Sequence, residues 1–225
     1  MSDVSEMIVT RWWWIRHAPV VDAKLGKLSG QFDIDVDLSD AESFASLAAK
    51  LPKKSPGGAL WITSNLKRTR QTAEALWAAG AERTEPLVEP AFAEQAFGAW
   101  TLKTWTDIGA LDDAETLAFW NDPAAVAPPS SDEYGTESFK DVCTRVGARL
   151  EDLTAAYAGR DIVCVAHAGS IRAAVAHALG LTAEQALALD VKNTSLTRLD
   201  HIGHGADGLR VKRGGSWRVV GLNII

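Results

Sequence analysis

The sequence predicts an α/β fold, a three-layer sandwich with a mostly parallel central sheet flanked by helices. Three observations lead there. Short apolar runs of strand length at residues 12–15, 59–63 and 162–166 do not alternate with polar residues, which is the pattern of strands buried on both faces. Segments of helical periodicity lie between and after them, the order expected of βαβ units in a doubly wound sheet. The chain has 225 residues, enough for one domain or one domain with an insertion.

The first strand, 12–15, holds Trp12–Trp14, expected as core and helix-facing residues. Residues 40–51 carry Phe44, Leu47, Ala48 and Leu51 at helical spacing. After the strand at 59–63, residues 66–79 place Leu66, Thr69, Ala73, Leu76 and Trp77 on one helical face. Residues 86–91 are strand-like. Residues 101–140 differ from the rest. They hold eight acidic residues against Lys103 and Lys140, and three prolines, Pro123, Pro128 and Pro129. This segment is expected to be an acidic lid or cap, part helix and part loop, inserted in a single domain spanning 1–225. A helix is predicted over 139–157, with Val142, Val146, Leu150, Leu153 and Tyr157 on its apolar face. The strand at 162–166 runs directly into a helix over 170–179. Weaker strands are predicted at 195–199, 209–212 and 217–220, with Gly214-Gly215 as a hairpin turn between the last two.

Composition narrows the function. The net charge is −6, whereas a general nucleic-acid binder is normally basic. An apolar fraction of 47% with 23% charged residues excludes a disordered chain. Two cysteines, Cys143 and Cys164, make neither a disulfide framework nor a metal-ligand pattern. The N-terminus carries no basic residue, and its apolar run is too short for a signal peptide. The longest apolar stretch, 162–181, is interrupted by His167, Arg172 and His177, so no membrane span is expected. A soluble cytoplasmic protein without nucleic-acid or membrane partners follows. Oligomeric state is not legible.

In open α/β sheets, ligands bind beyond the carboxyl ends of the strands. Arg16 and His17 follow the first strand. Ser64 follows the second, with Arg68 one turn into the next helix. His167 follows the third, with Ala168 and Gly169-Ser170 opening a helix. One sheet edge thus receives two arginines and two histidines. Guanidinium forks match phosphate oxygens, and helix N-termini add N–H groups worth about 0.3–1 kcal/mol each toward an anion. A tetrahedral dianion fits this set. A metal held by His17, His167 and an acid is the competing reading. Two nearby arginines oppose it, since like unit charges about 4 Å apart repel by roughly 4 kcal/mol at an effective dielectric near 20.

The same residues carry a resemblance. Ile15-Arg16-His17-Ala18 is similar to the Arg-His-Gly signature of the histidine phosphatase, or phosphoglycerate mutase-like, superfamily. Ser64-Asn65-Leu66-Lys67-Arg68-Thr69-Arg70-Gln71-Thr72-Ala73 resembles its second motif, Glu94-x-x-Phe97-Gly98-x-Trp100 its third, and Val165-x-His167-x-Gly169 with Ile171-Arg172 its fourth. Gly30, Asp33 and Leu38-Ser39 resemble the loop before its first helix. Ala18 and Ala168 stand where the family commonly has glycine, and Thr101-Leu102 where it often has Glu-Gly. No catalytic group is lost by these departures.

The resemblance implies a phosphoglycerate mutase-like sandwich and assigns roles. His17 is the nucleophile that forms a phosphohistidine. Arg16, Arg68, His167 and Ala168 hold the phosphoryl oxygens. Glu94 protonates the leaving oxygen and then activates water. No cofactor and no metal are implied. The substrate class is a small-molecule phosphate ester. Small phosphatases of the family resemble this chain in size and motif layout, which suggests α-ribazole 5′-phosphate, a cobalamin-synthesis intermediate, as substrate. Phosphoglycerate mutase-type transfer and a non-catalytic phospho-ligand module stay open. The bland readings are core packing for Trp100 and Trp105, a surface loop for His201 and His204, an inert buried thiol for Cys164, and helix caps or phosphate-adjacent hydroxyls for Ser64 and Ser170.

Overall fold

The computed structural model describes residues 7–21, 23–53, 57–203 and 216–225. One six-stranded sheet organises them. β1 (Ile8–Arg16), β2 (Leu60–Thr63), β3 (Leu87–Val88) and β4 (Asp161–Ala166) run parallel, in the order β3-β2-β4-β1. β5 (Leu196–Gly203) and β6 (Trp217–Ile224) continue the sheet antiparallel beyond β1. The predicted class, α/β with a mostly parallel sheet, is the observed one.

Helices cover both faces. Along β4, Ile162, Cys164 and Ala166 join one core with Trp12, Trp14, Val142, Leu150 and Ile171. Val163 and Val165 join the other, with Phe44, Leu47, Trp61, Ala73 and Leu76. The first core lies under α5 (Phe139–Ala156) and α6 (Ala168–Leu179), the second under α1 (Ala41–Lys50) and α2 (Lys67–Ala78). Burial on both faces explains why the central strands read as continuous apolar runs. Trp12 and Trp14 share a face and stack at 5.2 Å. Trp13 points the other way, beneath the Arg198 guanidinium at 3.9 Å.

Several boundaries move, each for a local reason. β1 begins four residues before the apolar run, because Ile8, Val9 and Thr10 pair only with β5 and need no two-sided apolar pattern. β3 stops at Val88. Glu89 then caps a short 3₁₀ turn, Pro90–Phe92, by accepting the Ala91 N–H. β5 reaches Gly203, so His201 lies on a strand and packs 4.8 Å from Trp217, not on a surface loop. β6 extends to Ile224 and pairs with β5. The strand expected at 209–212, the Gly214-Gly215 turn and His204 lie outside the described residues. α6 starts two residues early, at Ala168, with His167 as its N-cap.

Between β3 and α5 come α3 (Trp105–Gly109) and α4 (Ala114–Asn121). Trp100, Ile108 and Phe119 form a third, small core there. After α6, a short α7 (Ala183–Leu187) that the periodicity did not reveal leads to β5. Among the described residues, no helix is long and apolar enough to cross a membrane.

Candidate active site

β1 lies between β4 and β5, so its carboxyl end opens at the middle of the sheet edge. His17 follows it. Its backbone N–H donates to the Ala166 carbonyl at 2.9 Å, which sets the turn-off beside the end of β4. The ring is 6% exposed. Its Nδ1 lies 2.7 Å from the Ala18 carbonyl. A carbonyl only accepts, so Nδ1 carries the proton and Nε2 keeps its lone pair. Burial, then the neighbouring Arg68 charge, pushes the imidazole well below its ordinary range, with Arg16 adding to the effect. The ring is therefore neutral and nucleophilic at neutral pH.

Arg68 comes from the first turn of α2. That helix has no side-chain cap of its own at Leu66. Asp33, from the loop after β1, accepts the Lys67 N–H at 2.8 Å instead. The Arg68 guanidinium is 1% exposed and held on three sides. It donates to the Gly30 carbonyl at 2.6 Å, the Phe32 carbonyl at 3.0 Å and His167 Nδ1 at 3.2 Å. Burial lowers its pKa to about 10 against the opposing pull of Glu94, so it stays a cation. Gly30 turns at φ +48°, and a Cβ there would press on Phe97 and the Gln95 carbonyl.

His167 is fully buried, its ring centroid 5.1 Å from that of His17. Arginine only donates, so His167 Nδ1 is the acceptor and Nε2–H faces Ser64 Oγ at 2.8 Å. Burial, then Arg68, holds this ring neutral too. Both its nitrogens are thus engaged by protein groups. Ser170 Oγ accepts the His167 N–H at 3.1 Å, in a capping role.

Glu94 lies between two 3₁₀ turns. Its Oε1 accepts the N–H groups of Gln95 and Gly169, each at 3.0 Å. This ties it to the first turn of α6 and leaves Oε2 uncommitted among the described residues. Arg16 is anchored by one donation, to the Val191 carbonyl at 2.5 Å, and its buried Nε has no partner among the described residues. Burial lowers its pKa, and Glu94 opposes that. Cys164 is fully buried, and burial pushes its thiol well up, as expected of an inert core cysteine.

These groups surround a cavity of about 380 Å³, within the range of small-molecule sites. Arg16, His17, Arg68, Glu94 and Ala168 line it; His167 stands behind Arg68 rather than on the wall. The structure adds residues the sequence reading did not place there. Arg172 lines the cavity with its Nε held by the Leu189 carbonyl at 2.6 Å. Asn193 lines it and donates to the His17 carbonyl at 2.8 Å. Lys27, Leu28 and Phe97 line it as well. Arg172 sits in the fourth motif, a signal that was available. Asn193 had none.

Trp100 and Trp105, both expected in core packing, part ways. Trp100 is 1% exposed in the small core, as expected. Trp105 is 45% exposed and lines the cavity, edge-on to Phe97 at 6.3 Å, so core packing does not describe it. None of the acidic residues of 101–140 lines the cavity. Asp107 and Asp113 cap α3 and α4, Asp122 accepts the Ala125 N–H, and Glu137 pairs with Arg145. The cavity wall therefore carries none of this segment's negative charge.

The model of the histidine phosphatase superfamily (branch 1) matches residues 12–213. Mycobacterial glucosyl-3-phosphoglycerate phosphatase superposes with a TM-score of 0.75 at 26% identity, over 96% of this chain and 100% of that one. The α-ribazole phosphatase of Shigella flexneri gives 0.74 at 22% identity, over 95% and 96%. A phosphoserine phosphatase variant from Entamoeba histolytica, in complex with phosphoserine, gives 0.73 at 20%, over 95% and 96%. The latter two likenesses are of fold. No curated protein sequence matches. The match of the family model along nearly the whole chain establishes that this chain belongs to the histidine phosphatase superfamily, branch 1, and is a phosphoric monoester hydrolase.

Proposed function

We propose that the protein is a metal-independent phosphomonoesterase that hydrolyses a small phosphorylated metabolite through a phosphohistidine on His17. The observation that carries this is the committed tautomer of His17, with Nδ1–H on the Ala18 carbonyl in a cavity that also holds Arg16, Arg68 and Glu94. In the first step Nε2 attacks phosphorus and the ester P–O bond breaks. Glu94 Oε2 delivers a proton to the departing oxygen. In the second, Glu94 takes a proton from water, the water oxygen attacks phosphorus, and the P–N bond breaks to release inorganic phosphate. Arg16 and Arg68 hold the phosphoryl oxygens, joined by the Ala168 N–H at the N-terminus of α6. His167 acts by orienting the Arg68 guanidinium and by keeping its own charge off the site. Direct contact with the phosphoryl group would require it to release Arg68 or Ser64. Metal independence is supported by the donor set, since no three His, Cys, Asp or Glu side chains among the described residues are grouped to hold an ion.

For the leaving group, Trp105, Phe97 and Leu28 offer an apolar wall and Arg172 and Lys27 two cations. A metabolite with both a ring or apolar part and a polar or anionic group fits. α-Ribazole 5′-phosphate is one such ester, and glucosyl-3-phosphoglycerate is another. Denaturing the enzyme during turnover should trap an acid-labile, base-stable phosphoryl group on His17. Unimpaired turnover by His17→Ala would overturn the mechanism. Phosphate release from a panel containing both esters, phosphoserine and 3-phosphoglycerate ranks the substrates.

A further inference from the structure

Glu94 sits in a segment with no helix or strand of its own, between the 3₁₀ turns Pro90–Phe92 and Gly98–Trp100. Such a segment keeps its shape only where its backbone groups find partners. Arg145, on the second turn of α5, supplies two of them. It donates to the Ala91 carbonyl at 2.7 Å and to the Glu94 carbonyl at 3.2 Å. The same guanidinium grips both oxygens of Glu137, at 2.9 and 2.7 Å. Glu137 in turn accepts the Ala96 N–H at 3.1 Å, and its backbone bonds Ala96 and the Gln95 side chain. The Glu94 carbonyl and the two residues after it are therefore fixed to one ion pair. That pair is largely shielded, its side chains 23% and 17% exposed, where charge-assisted bonds hold better than at the surface.

We propose that Arg145 and Glu137 are positioning residues for proton delivery, acting through Glu94 without touching the substrate. This rests on the reading of Glu94 as general acid. Neither residue lines the cavity, so neither contributes to binding. What they set is where the Glu94 carboxyl stands once Gln95 and Gly169 hold its Oε1. The planar fork of arginine reaches all of its acceptors at once, which an ammonium cannot do. Arg145→Lys keeps the positive charge but loses the fork. Glu137→Gln keeps the shape but loses the charge.

The test compares kcat/KM, which reports the leaving-group step alone, on an alkyl phosphate, whose leaving oxygen needs a proton, and on p-nitrophenyl phosphate, whose leaving group hardly does. Wild type, Arg145→Lys, Glu137→Gln, Glu94→Gln and the Glu94→Gln/Glu137→Gln double variant are measured, with thermal melts. Displacement of a catalytic group by 1 Å costs up to about 10²-fold, so kcat/KM on the alkyl ester should fall about 10–100-fold in Arg145→Lys and Glu137→Gln. The nitrophenyl kcat/KM should stay nearly unchanged, because the water step that Glu94 also serves comes after the step it reports. In the Glu94→Gln background, Glu137→Gln should add no further selectivity. Equal losses on both esters in the two positioning variants, while Glu94→Gln discriminates, would overturn this inference and leave the role of Glu94 standing. A further selective loss in the double variant would also overturn it. No discrimination by Glu94→Gln itself would overturn both. Should Arg145→Lys not fold, the near-isosteric Glu137→Gln carries the test.

Discussion

Gly169→Ala should separate activity from stability. Gly169 is the second residue of α6, and its N–H donates to Glu94 Oε1 at 3.0 Å. A Cβ placed there would stand 2.3 Å from that oxygen. Ordinary contact begins near 3.4 Å, so the carboxylate must retreat by about 1 Å. Under the proposed mechanism a misplacement of that size costs up to about 10²-fold in rate, or about 2.7 kcal/mol. Stability should move little. Alanine is favoured over glycine within a helix by about 1 kcal/mol, which offsets much of a lost charge-assisted bond worth about 1.5–3 kcal/mol. The net change of at most about 2 kcal/mol corresponds to a melting shift of no more than about 4–8 °C in a chain of this size. Steady-state kinetics on an alkyl phosphate and a thermal melt on the same preparation check both halves. Wild-type kcat in a folded Gly169→Ala enzyme would refute the assigned place of Glu94, and collapse of the fold would refute the packing argument.

Three further outcomes are expected. Gly98 has φ +49°, and a Cβ there would come 2.1 Å from the Pro129 carbonyl oxygen, so Gly98→Ala should lose at least about 2 kcal/mol by chemical denaturation, from left-handed strain and overpacking together. His17 and His167 are held neutral in the fold, below their ordinary value of 6.5; the unfolded chain then binds more protons as pH falls through 6.5, so the stability they contribute is present above that pH and lost below it. Melting temperature should drop between pH 6.5 and 5, and a slope no shallower in His17→Asn would contradict the burial argument. Prolonged chelation should leave turnover unchanged, whereas activity that disappears with chelator and returns with a divalent ion would favour a metal site.

What could be read from the sequence was whatever residue type and position signalled together. Arg16, His17 and His167 directly follow runs buried on both faces, so the topology alone places them at the carboxyl edge. Arg68 is one helical turn further and equally legible. Its anchors are not, because the Gly30 and Phe32 carbonyls are groups every residue carries. Arg145 and Glu137 escaped for a related reason. Glu137 immediately precedes the α5 N-cap, and an acidic residue in an acidic segment carries no mark of its partner. Trp105 could not be told from Trp100, since α3 has only five residues and a helix that short shows no face. The front of β1 was missed because it pairs with β5 alone.

Net charge was the least transferable reading, and the reason bears on function. The chain is acidic overall, yet the cavity wall carries Arg16, Lys27, Arg68 and Arg172 against Glu94. Four of the acidic residues in 101–140 have structural partners, at helix caps, at the Asp122 turn and against Arg145. A residue count weights all charges equally, whereas a ligand feels those within about one Debye length, roughly 8–10 Å. The acidic count of residues 101–140 therefore gives no reason to expect a weakly charged substrate. Under the proposed function, hydrolysis rather than phosphoglycerate transfer is expected from the residues that follow Glu94. Gln95 and Ala96 offer no cation there, and both are bound to Glu137. The remaining cations, Arg172 and Lys27, belong to other elements of the wall. An anionic leaving group would be gripped from the side of α6 and the loop after β1, not from the residues beside the acid. With 3-phosphoglycerate and a bisphosphoglycerate primer, release of inorganic phosphate should accordingly exceed formation of 2-phosphoglycerate. Efficient interconversion would show that these two cations suffice for transfer.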